Sequence, residues 1–334
     1  MIILIILFFG LLIFIHELGH FIFARIFKVK INEFSIGMGP KLFSKTKNET
    51  KYSLRLLPIG GFVSMKGENY SPENTDDEGS FNSLYPYKKA IILVAGALVN
   101  IVFGFIIMVI AVSQTPTLLS TTISSVDKNL AVQGLQKGDK IIEINNNKIY
   151  DYMDINFFLS LDKDKIVDMK VIRNGKQQNL ESVDLNSSSA NFEKLEKSAP
   201  NVFKKGFHNS ISVIRVVFAS LQKMITGDIG IDNLAGPIGT IDVLGSAAKS
   251  AKKTRNFSGL LFFLALISIN IGVFNLLPIP GLDGGRLLFV VIEGIRRKPV
   301  SLKAQAIFNS IGMLILFGLI FLVTANDLMR IFKG

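Results

Sequence analysis

An apolar run over residues 2–27 contains the sequence HELGH at residues 16–20. The run is long enough to cross a membrane as a helix, which takes about 20 apolar residues. Residues at i and i+4 of a helix lie on one face, so the two imidazoles of the motif are stacked there. Ionisable side chains at membrane depth cost roughly 2.5–3.5 kcal/mol each on insertion scales, and they usually mark functional sites.

The spacing of this motif is typical of a zinc site in which a carboxylate stands beside two histidine ligands. Five-residue patterns also arise by chance, but two of the three histidines of the chain are found here. We therefore predict that His16 and His20 bind one Zn²⁺ per chain. Glu17 is the predicted general base, which activates a metal-bound water.

Composition indicates a membrane protein with extramembrane parts, because 49% of the residues are hydrophobic. The net charge of +11 favours loops held against anionic lipid over binding to nucleic acid, since no aromatic-basic pattern accompanies it. Cysteine is absent, which excludes thiol catalysis and disulfides. We predict a polytopic α-helical membrane protein with a small membrane-associated β-hairpin region and an inserted PDZ-like α+β domain.

Four apolar stretches are predicted to span the bilayer, over about residues 2–27, 90–112, 257–277 and 305–324. Basic residues follow the first stretch at Arg25, Lys28 and Lys30, and precede the second at Lys88 and Lys89. Because basic loops stay in the cytoplasm, the segment that connects the first two spans is predicted to be cytosolic. Lysines before the third stretch indicate the opposite orientation, but early spans usually set the topology.

The segment between the first two spans reads as strands followed by a loop. Residues 31–67 alternate like two strands with turn glycines. They predict either a plain cytosolic hairpin or an exposed edge that accepts an extended peptide. Residues 68–80 are acidic and predict a mobile loop.

The segment between the second and third spans changes character twice. Residues 115–187 alternate short strands with glycine and asparagine turns, which predicts a PDZ-like domain outside the cytoplasm. Residues 188–256 form the next region, in which the sequence predicts a linker (186–200, beginning just before it) and an amphipathic helix over about 207–225 at the membrane interface. Residues 234–237 and 244–251 are predicted to be irregular. The chain thus divides into an N-terminal membrane half (1–114), these two regions, and a C-terminal membrane half (257–334).

A hydrolytic zinc site needs three protein ligands and an open position for water. Asp283 is the preferred third ligand, because it follows the third span in backbone broken by prolines and glycines. Such backbone is tolerated at membrane depth where it is buried in protein or lines a wet cavity. Glu293 and Asp327 are weaker candidates, since both read as charges at helix ends.

At this point the chain resembles the site-2 protease family of intramembrane zinc metalloproteases, in its bacterial RseP/RasP-type branch. The resemblance rests on HELGH in the first span, on NLLPIPGLDG at residues 275–284, and on one PDZ-like insert between the second and third spans. It implies four transmembrane helices, zinc held by His16, His20 and Asp283, and catalysis by Glu17. It also implies cleavage of membrane-anchored substrates, such as anti-sigma factors or signal-peptide remnants, in the bacterial inner membrane.

The same resemblance implies a set of substrate-binding residues that hold the unwound substrate: Asn275, Pro278, Pro280, Gly37 and Gly39. Asn270 has either this role or one in helix packing. The sequence departs from the family pattern at Ala97, where a proline usually follows the glycine.

Two other functions are compatible with parts of the sequence. A non-catalytic membrane scaffold with a PDZ domain would use the metal site structurally, but Glu17 beside the metal adds nothing to a structural site. A transporter would use membrane histidines and aspartate, but no internal repeat or polar path across the four spans is evident.

Overall fold

The structure is a computed structural model that describes residues 2–68, 78–160, 162, 164–186, 189–227 and 237–333. Most of the predicted acidic loop, at residues 69–77, lies outside the described residues. In chain order, the helices are α1 (Ile2–Ile26), α2 (Pro86–Gln114), α3 (Lys128–Val132), α4 (Tyr152–Ser160), α5 (Ala199–Thr226), α6 (Pro237–Thr254), α7 (Ser258–Leu276), α8 (Asp283–Arg296) and α9 (Leu302–Lys333).

The strands form two sheets. In chain order they are β1 (Ile31–Lys47), β2 (Thr50–Met65), β3 (Leu118–Val126), β4 (Lys140–Ile144), β5 (Asn147–Lys148), β6 (Ile166–Arg173), β7 (Lys176–Asp184) and β8 (Ala190–Leu195). Strands β1 and β2 pair with each other, and the larger sheet has the order β7-β6-β4-β3-β8 with β5 paired to β4. All of these pairings are antiparallel.

The prediction of membrane-spanning helices agrees with four helical segments that are long and apolar enough to cross a bilayer. They are residues 6–26 of α1, α2 as a whole, α7 as a whole and residues 303–325 of α9. The chain is therefore a membrane protein that also contains β-sheet. Its orientation in the membrane stays a prediction.

The chain divides into two compact units. The first comprises residues 1–104, 232–249 and 267–334, and the second comprises residues 105–231 and 250–266. In the first unit, the β1–β2 hairpin packs onto α1 and α2 through apolar residues such as Ala24, Phe34, Val63 and Ile92. Farther along, the hairpin has several register shifts and leaves apolar side chains exposed, among them Ile36, Met38, Leu54, Leu56 and Leu57.

The second unit is built around the larger sheet. Its core is formed by buried apolar side chains from β3, β4, β6 and the two short helices, including Ile123, Leu130, Ile141, Phe158 and Val171. Alternating buried positions along the strands explain why these segments form a sheet with one packed face. A buried Asp139 carboxylate receives hydrogen bonds from Arg173, at 2.7 Å from Nε and 2.6 Å from Nη2, and so joins the residue that precedes β4 to the end of β6.

Three local predictions need correction. Residues 186–200 were predicted as a linker, but β8 lies within them and pairs with β3, so the sheet extends to Leu195. The prediction of an irregular segment is also wrong at residues 237 and 244–251, because α6 covers them and its alanines favour helix. Residues 234–236, which were included in that prediction, lie outside the described residues. Finally, the glycines after Asp283 do not continue the irregular backbone, because α8 begins at Asp283.

Helix α5 includes the predicted amphipathic segment 207–225. Its large apolar side chains are exposed, as at Phe203, Phe207, Ile211 and Phe218. The opposite side carries polar residues and is buried within the second unit. An exposed apolar stripe on a helix is what an interfacial helix presents to lipid, so the interfacial location stays a prediction that this pattern favours.

A buried ion pair joins the start of α2 to α8. The Lys89 side chain is only 4% exposed, and its Nζ lies 2.8 Å and 3.0 Å from the two carboxylate oxygens of Glu293. Removing one partner of a buried pair leaves an uncompensated charge, which costs about 3 kcal/mol or more. We therefore expect Glu293→Gln to lower the midpoint of thermal unfolding in detergent.

The double variant Lys89→Met, Glu293→Met is the matched control, since it removes both charges and retains side-chain volume. We expect it to recover most of the lost stability. Unchanged unfolding of Glu293→Gln would show that this pair does not hold α8 in place.

Candidate metal centre

The two histidines of the HELGH motif converge on one point beside α1. Helical spacing places His16 and His20 one turn apart, and both residues are more than nine-tenths buried. Their Nε2 atoms lie 3.2 Å apart, and the ring centroids are separated by 4.8 Å. The two ring nitrogens therefore point at the same small volume.

The third group comes from the other end of the chain. Oδ2 of Asp283 lies 3.0 Å from Nε2 of His16 and 3.1 Å from Nε2 of His20. Each of the three residues offers one candidate ligand atom, and these three atoms all lie within 4.8 Å of one another. The structure thus brings together the three residues that the sequence predicted as metal ligands.

Close packing of the backbone around the start of α8 positions Asp283 beside the two histidines. A Cβ atom on Gly284 would lie 2.0 Å from the carbonyl oxygen of Leu277, and one on Gly285 would lie 2.4 Å from that of Ile279. Only glycine allows the first turn of α8 to approach the preceding loop so closely. Two ion pairs also anchor α8, Lys89 with Glu293 and Arg286 with Glu68 at 2.5 Å.

A backbone carbonyl determines which nitrogen of His20 carries hydrogen. Nδ1 of His20 lies 2.8 Å from the carbonyl oxygen of Ile92, which only accepts hydrogen bonds, so Nδ1 donates. In the neutral imidazole, Nε2 then carries a lone pair, and this lone pair faces the Asp283 carboxylate. Two kinds of electron-pair donor that face each other in a buried site fit a bound cation, and a set of two nitrogens and one carboxylate oxygen suits zinc.

Glu17 stands beside this cluster and is oriented by the hairpin. Its Oε2 accepts a hydrogen bond of 3.1 Å from the backbone N–H of Val63 in β2. A Cβ on Gly61 would lie 3.5 Å from Cγ of Glu17 and 2.8 Å from the carbonyl oxygen of Ser35 in β1. The small residue at position 61 therefore lets both strands come close to the carboxylate.

The two weaker candidates for a third ligand have other positions. Glu293 is paired with Lys89, as described above. The side chain of Asp327 lies outside what the structure describes.

The predicted substrate-binding residues lie in two places. Nδ2 of Asn275 donates to the carbonyl oxygen of Ile271 in its own helix at 2.9 Å, while Oδ1 of Asn270 is buried without a partner among the described residues. Pro280 packs against Gly312 of α9, and Pro278 is exposed in the same loop. Gly37 and Gly39 lie in β1 with left-handed φ angles of 84° and 82°.

Sequence reasoning missed the backbone groups that orient the site. The carbonyl oxygen of Ile92 and the N–H of Val63 hold His20 and Glu17, and no side-chain pattern reveals such partners. A third contact, between Gly96 and His20, could have been predicted from the sequence. A Cβ on Gly96 would lie 2.3 Å from Nε2 of His20, so only glycine fits there. A glycine in an apolar span is a sign of close helix approach.

A cluster of two histidines and an aspartate beside a carboxylate, in a chain with four candidate membrane spans, defines a membrane-embedded metallopeptidase. Comparisons with known proteins agree with this class. The sequence model of peptidase family M50 matches residues 4–319 of this chain. A Clostridium perfringens protein named as a zinc metalloprotease is 35% identical over 330 residues, which cover 96% of each chain.

Two proteins named RasP are also similar. The zinc metalloprotease RasP of Oceanobacillus iheyensis is 27% identical and the regulator of sigma-W protease RasP of Bacillus subtilis is 30% identical, each over 421 residues and 98% of both chains. The chain therefore belongs to peptidase family M50, the site-2 protease family, and is an intramembrane zinc metalloprotease. This membership decides against the transporter and the non-catalytic scaffold.

The contact between Gly96 and His20 yields a test of the geometry. In Gly96→Ala, the added methyl group must displace the imidazole, so we expect loss of both bound zinc and peptidase activity. Zinc is measured by mass spectrometry of the purified protein. Gly318→Ala in α9 is the control, because its Cβ would meet no atom within 4 Å. Wild-type zinc content in Gly96→Ala would contradict the packing of α2 against His20.

Proposed function

We propose that His16, His20 and Asp283 bind one zinc ion per chain and that Glu17 is the general base for peptide hydrolysis. The convergence of two imidazole nitrogens and one carboxylate oxygen supports the ligand set. Three protein ligands leave a position open for water, as catalytic zinc sites require. Zinc held in this way supplies Lewis-acid activation of that water and of the scissile carbonyl group.

Glu17 handles the proton in both halves of the reaction. As water attacks the carbonyl carbon, the Glu17 carboxylate accepts a proton from it. When the C–N bond breaks, Glu17 returns that proton to the leaving nitrogen, so the base is regenerated. The hydrogen bond from the Val63 N–H holds one oxygen of Glu17, which leaves the other oxygen for this transfer.

The substrate must be extended to react, because a helix hides its carbonyl groups in internal hydrogen bonds. We assign this task to the β1–β2 hairpin, which would add the substrate as a further strand near Gly37 and Gly39. The exposed apolar side chains of the hairpin suit a substrate drawn from a transmembrane segment. The backbone contact between β2 and Glu17 supports this assignment, since it ties the hairpin to the catalytic carboxylate.

Polar groups on α7 and the following loop are proposed to hold the other side of the substrate. Asn270 presents a buried Oδ1 that can accept a hydrogen bond from a substrate N–H. Asn275, Pro278 and Pro280 belong to the same stretch of chain as Asp283 and are proposed to hold the unwound segment in place.

The antiparallel sheet and short helices of the second unit support a PDZ-like domain, which we propose selects substrates. Basic residues at Arg25, Lys28 and Lys88 support a cytosolic location for this end of α1 and α2, with the PDZ-like domain outside the cytoplasm. Because RasP of Bacillus subtilis is named a regulator of sigma-W protease, we propose membrane-anchored regulators such as anti-sigma factors, or signal-peptide remnants, as substrates in a bacterial inner membrane.

The role of Glu17 is tested by Glu17→Gln, which retains the shape of the side chain but cannot accept the proton. We expect cleavage of a single-span test substrate to fall by between about 10²- and 10⁴-fold. Zinc content should remain at the wild-type value, because Glu17 is not a ligand. Equal cleavage by both proteins would remove Glu17 from the mechanism, and a loss of zinc would assign it to the ligand set.

The third ligand is tested by Asp283→Ala, for which we expect both zinc content and activity to fall. The double variant Lys89→Met, Glu293→Met is the control, since it removes the competing carboxylate without leaving the buried Lys89 charge unpaired, and it should retain zinc. If Asp283→Ala retained full zinc and the double variant lost it, the ligand assignment would pass to Glu293.

A further inference from the structure

A recess of about 500 Å³ lies in the second unit between the larger sheet and α5. Its lining includes Thr121 of β3, Lys140 of β4, Lys148 of β5, Tyr150, and Lys204 and His208 of α5. Arg215 of α5 fixes the wall, because its Nη2 donates to the carbonyl oxygen of Lys148 at 2.5 Å and its guanidinium lies 4.8 Å from the centre of the Tyr150 ring.

The recess is positively charged. Lys140, Lys148 and Lys204 are all exposed, and within the described residues none of the three is in an ion pair. Of the acidic groups nearby, Glu143 in the wall is paired with Lys170 at 2.5 Å, and Asp151 in the adjoining recess is paired with Lys205 at 2.7 Å. The adjoining recess also contains Glu193, and counting its charge still leaves an excess of two positive charges.

The contacts of α5 place this recess beside a membrane-spanning helix. The ring of Phe105 in α2 lies 5.5 Å from that of Phe203 and 6.1 Å from that of Phe207. A Cβ on Gly206 would lie 2.6 Å from Val109, so the first turns of α5 pack tightly against α2. Because α2 ends at Gln114, these contacts lie within its last three turns, close to the level where a spanning helix leaves the bilayer.

The lysine and histidine of the recess lie at the edge of the exposed apolar stripe of α5. Helical spacing of 100° per residue puts Lys204 and His208 between the side that carries Phe203 and Phe207 and the buried polar side. An interfacial helix with its apolar stripe in lipid would thus hold these two residues at the depth of the headgroups.

We propose that this recess binds the phosphate of an anionic phospholipid headgroup. Lysine ammonium groups bind phosphate as point charges, and basic residues near an anionic membrane surface each add attraction. The acyl chains of the bound lipid would lie along the exposed phenylalanines of α5. This site is separate from the zinc chemistry and does not depend on it.

The test uses the full-length protein in a neutral detergent, titrated with dioctanoylphosphatidylglycerol, and counts bound lipid by native mass spectrometry. We expect the triple variant Lys140→Gln, Lys148→Gln, Lys204→Gln to bind this lipid at least about tenfold more weakly than the wild type. The matched control replaces three exposed lysines elsewhere on the unit, Lys128, Lys137 and Lys165, by glutamine and should bind normally.

Two further probes separate the sources of the phosphate. Dioctanoylphosphatidylcholine, which has no net charge, should bind more weakly than phosphatidylglycerol, and so should glycerol 1-phosphate, which lacks the acyl chains. The proposal would be overturned if the triple recess variant bound phosphatidylglycerol with wild-type affinity, or if the control variant lost as much affinity as the recess variant. Equal binding of glycerol 1-phosphate and the lipid would also overturn it, in favour of a site for soluble anions. If the triple variant does not fold, Lys204→Gln alone should still weaken lipid binding several-fold.

Discussion

The structure depends on bringing two imidazole nitrogens and one carboxylate oxygen together away from water. His16 and Asp283 are 267 positions apart in sequence, yet their ligand atoms are 3.0 Å apart. Electron-pair donors that face each other in a buried site are unfavourable unless a metal ion or a proton lies between them, because water is not there to solvate them. Much of the packing around the site serves this convergence. Gly19 and Gly96 let α1 and α2 approach each other, and Gly284 and Gly285 let α8 begin at the candidate metal centre.

In the proposed mechanism, the β1–β2 hairpin connects the catalytic site to the substrate. β2 donates a backbone hydrogen bond to Glu17, while the exposed apolar side chains farther along the hairpin are available to a membrane segment. The N–H group that holds the Glu17 carboxylate and the edge that is proposed to pair with the substrate are therefore parts of one element. This arrangement suits an enzyme that must unwind a helix before cutting it. Binding energy gained along the strand can offset the lost helical hydrogen bonds.

The sequence was sufficient to predict the features that depend on periodicity and spacing. The apolar stretches predicted the spans, the i, i+4 spacing predicted that the two histidines share a helix face, and the broken backbone after the third span pointed to Asp283. It was insufficient where backbone atoms or long-range pairing decide the outcome. The hydrogen-bond partners of His20 and Glu17 are a backbone carbonyl group and a backbone N–H group. Residues 190–195 form β8 because β3 offers an edge to pair with. The glycines after Asp283 allow a helix to begin there because the preceding loop packs closely against them. Helix α5 was predicted from its stripe of apolar residues, but only the structure shows that its polar side is the buried one.

X-ray absorption spectroscopy of the zinc-loaded protein tests the central claim most directly, because it reports the atoms bound to the metal. The His208→Gln variant is the right sample, since His16 and His20 are then the only histidines in the chain. We predict a spectrum with two imidazole nitrogens at about 2.0–2.1 Å and oxygen ligands completing the shell, and loss of the imidazole signal on substitution of both histidines. A wild-type amount of zinc bound by oxygen alone, or by a single imidazole, would contradict the account.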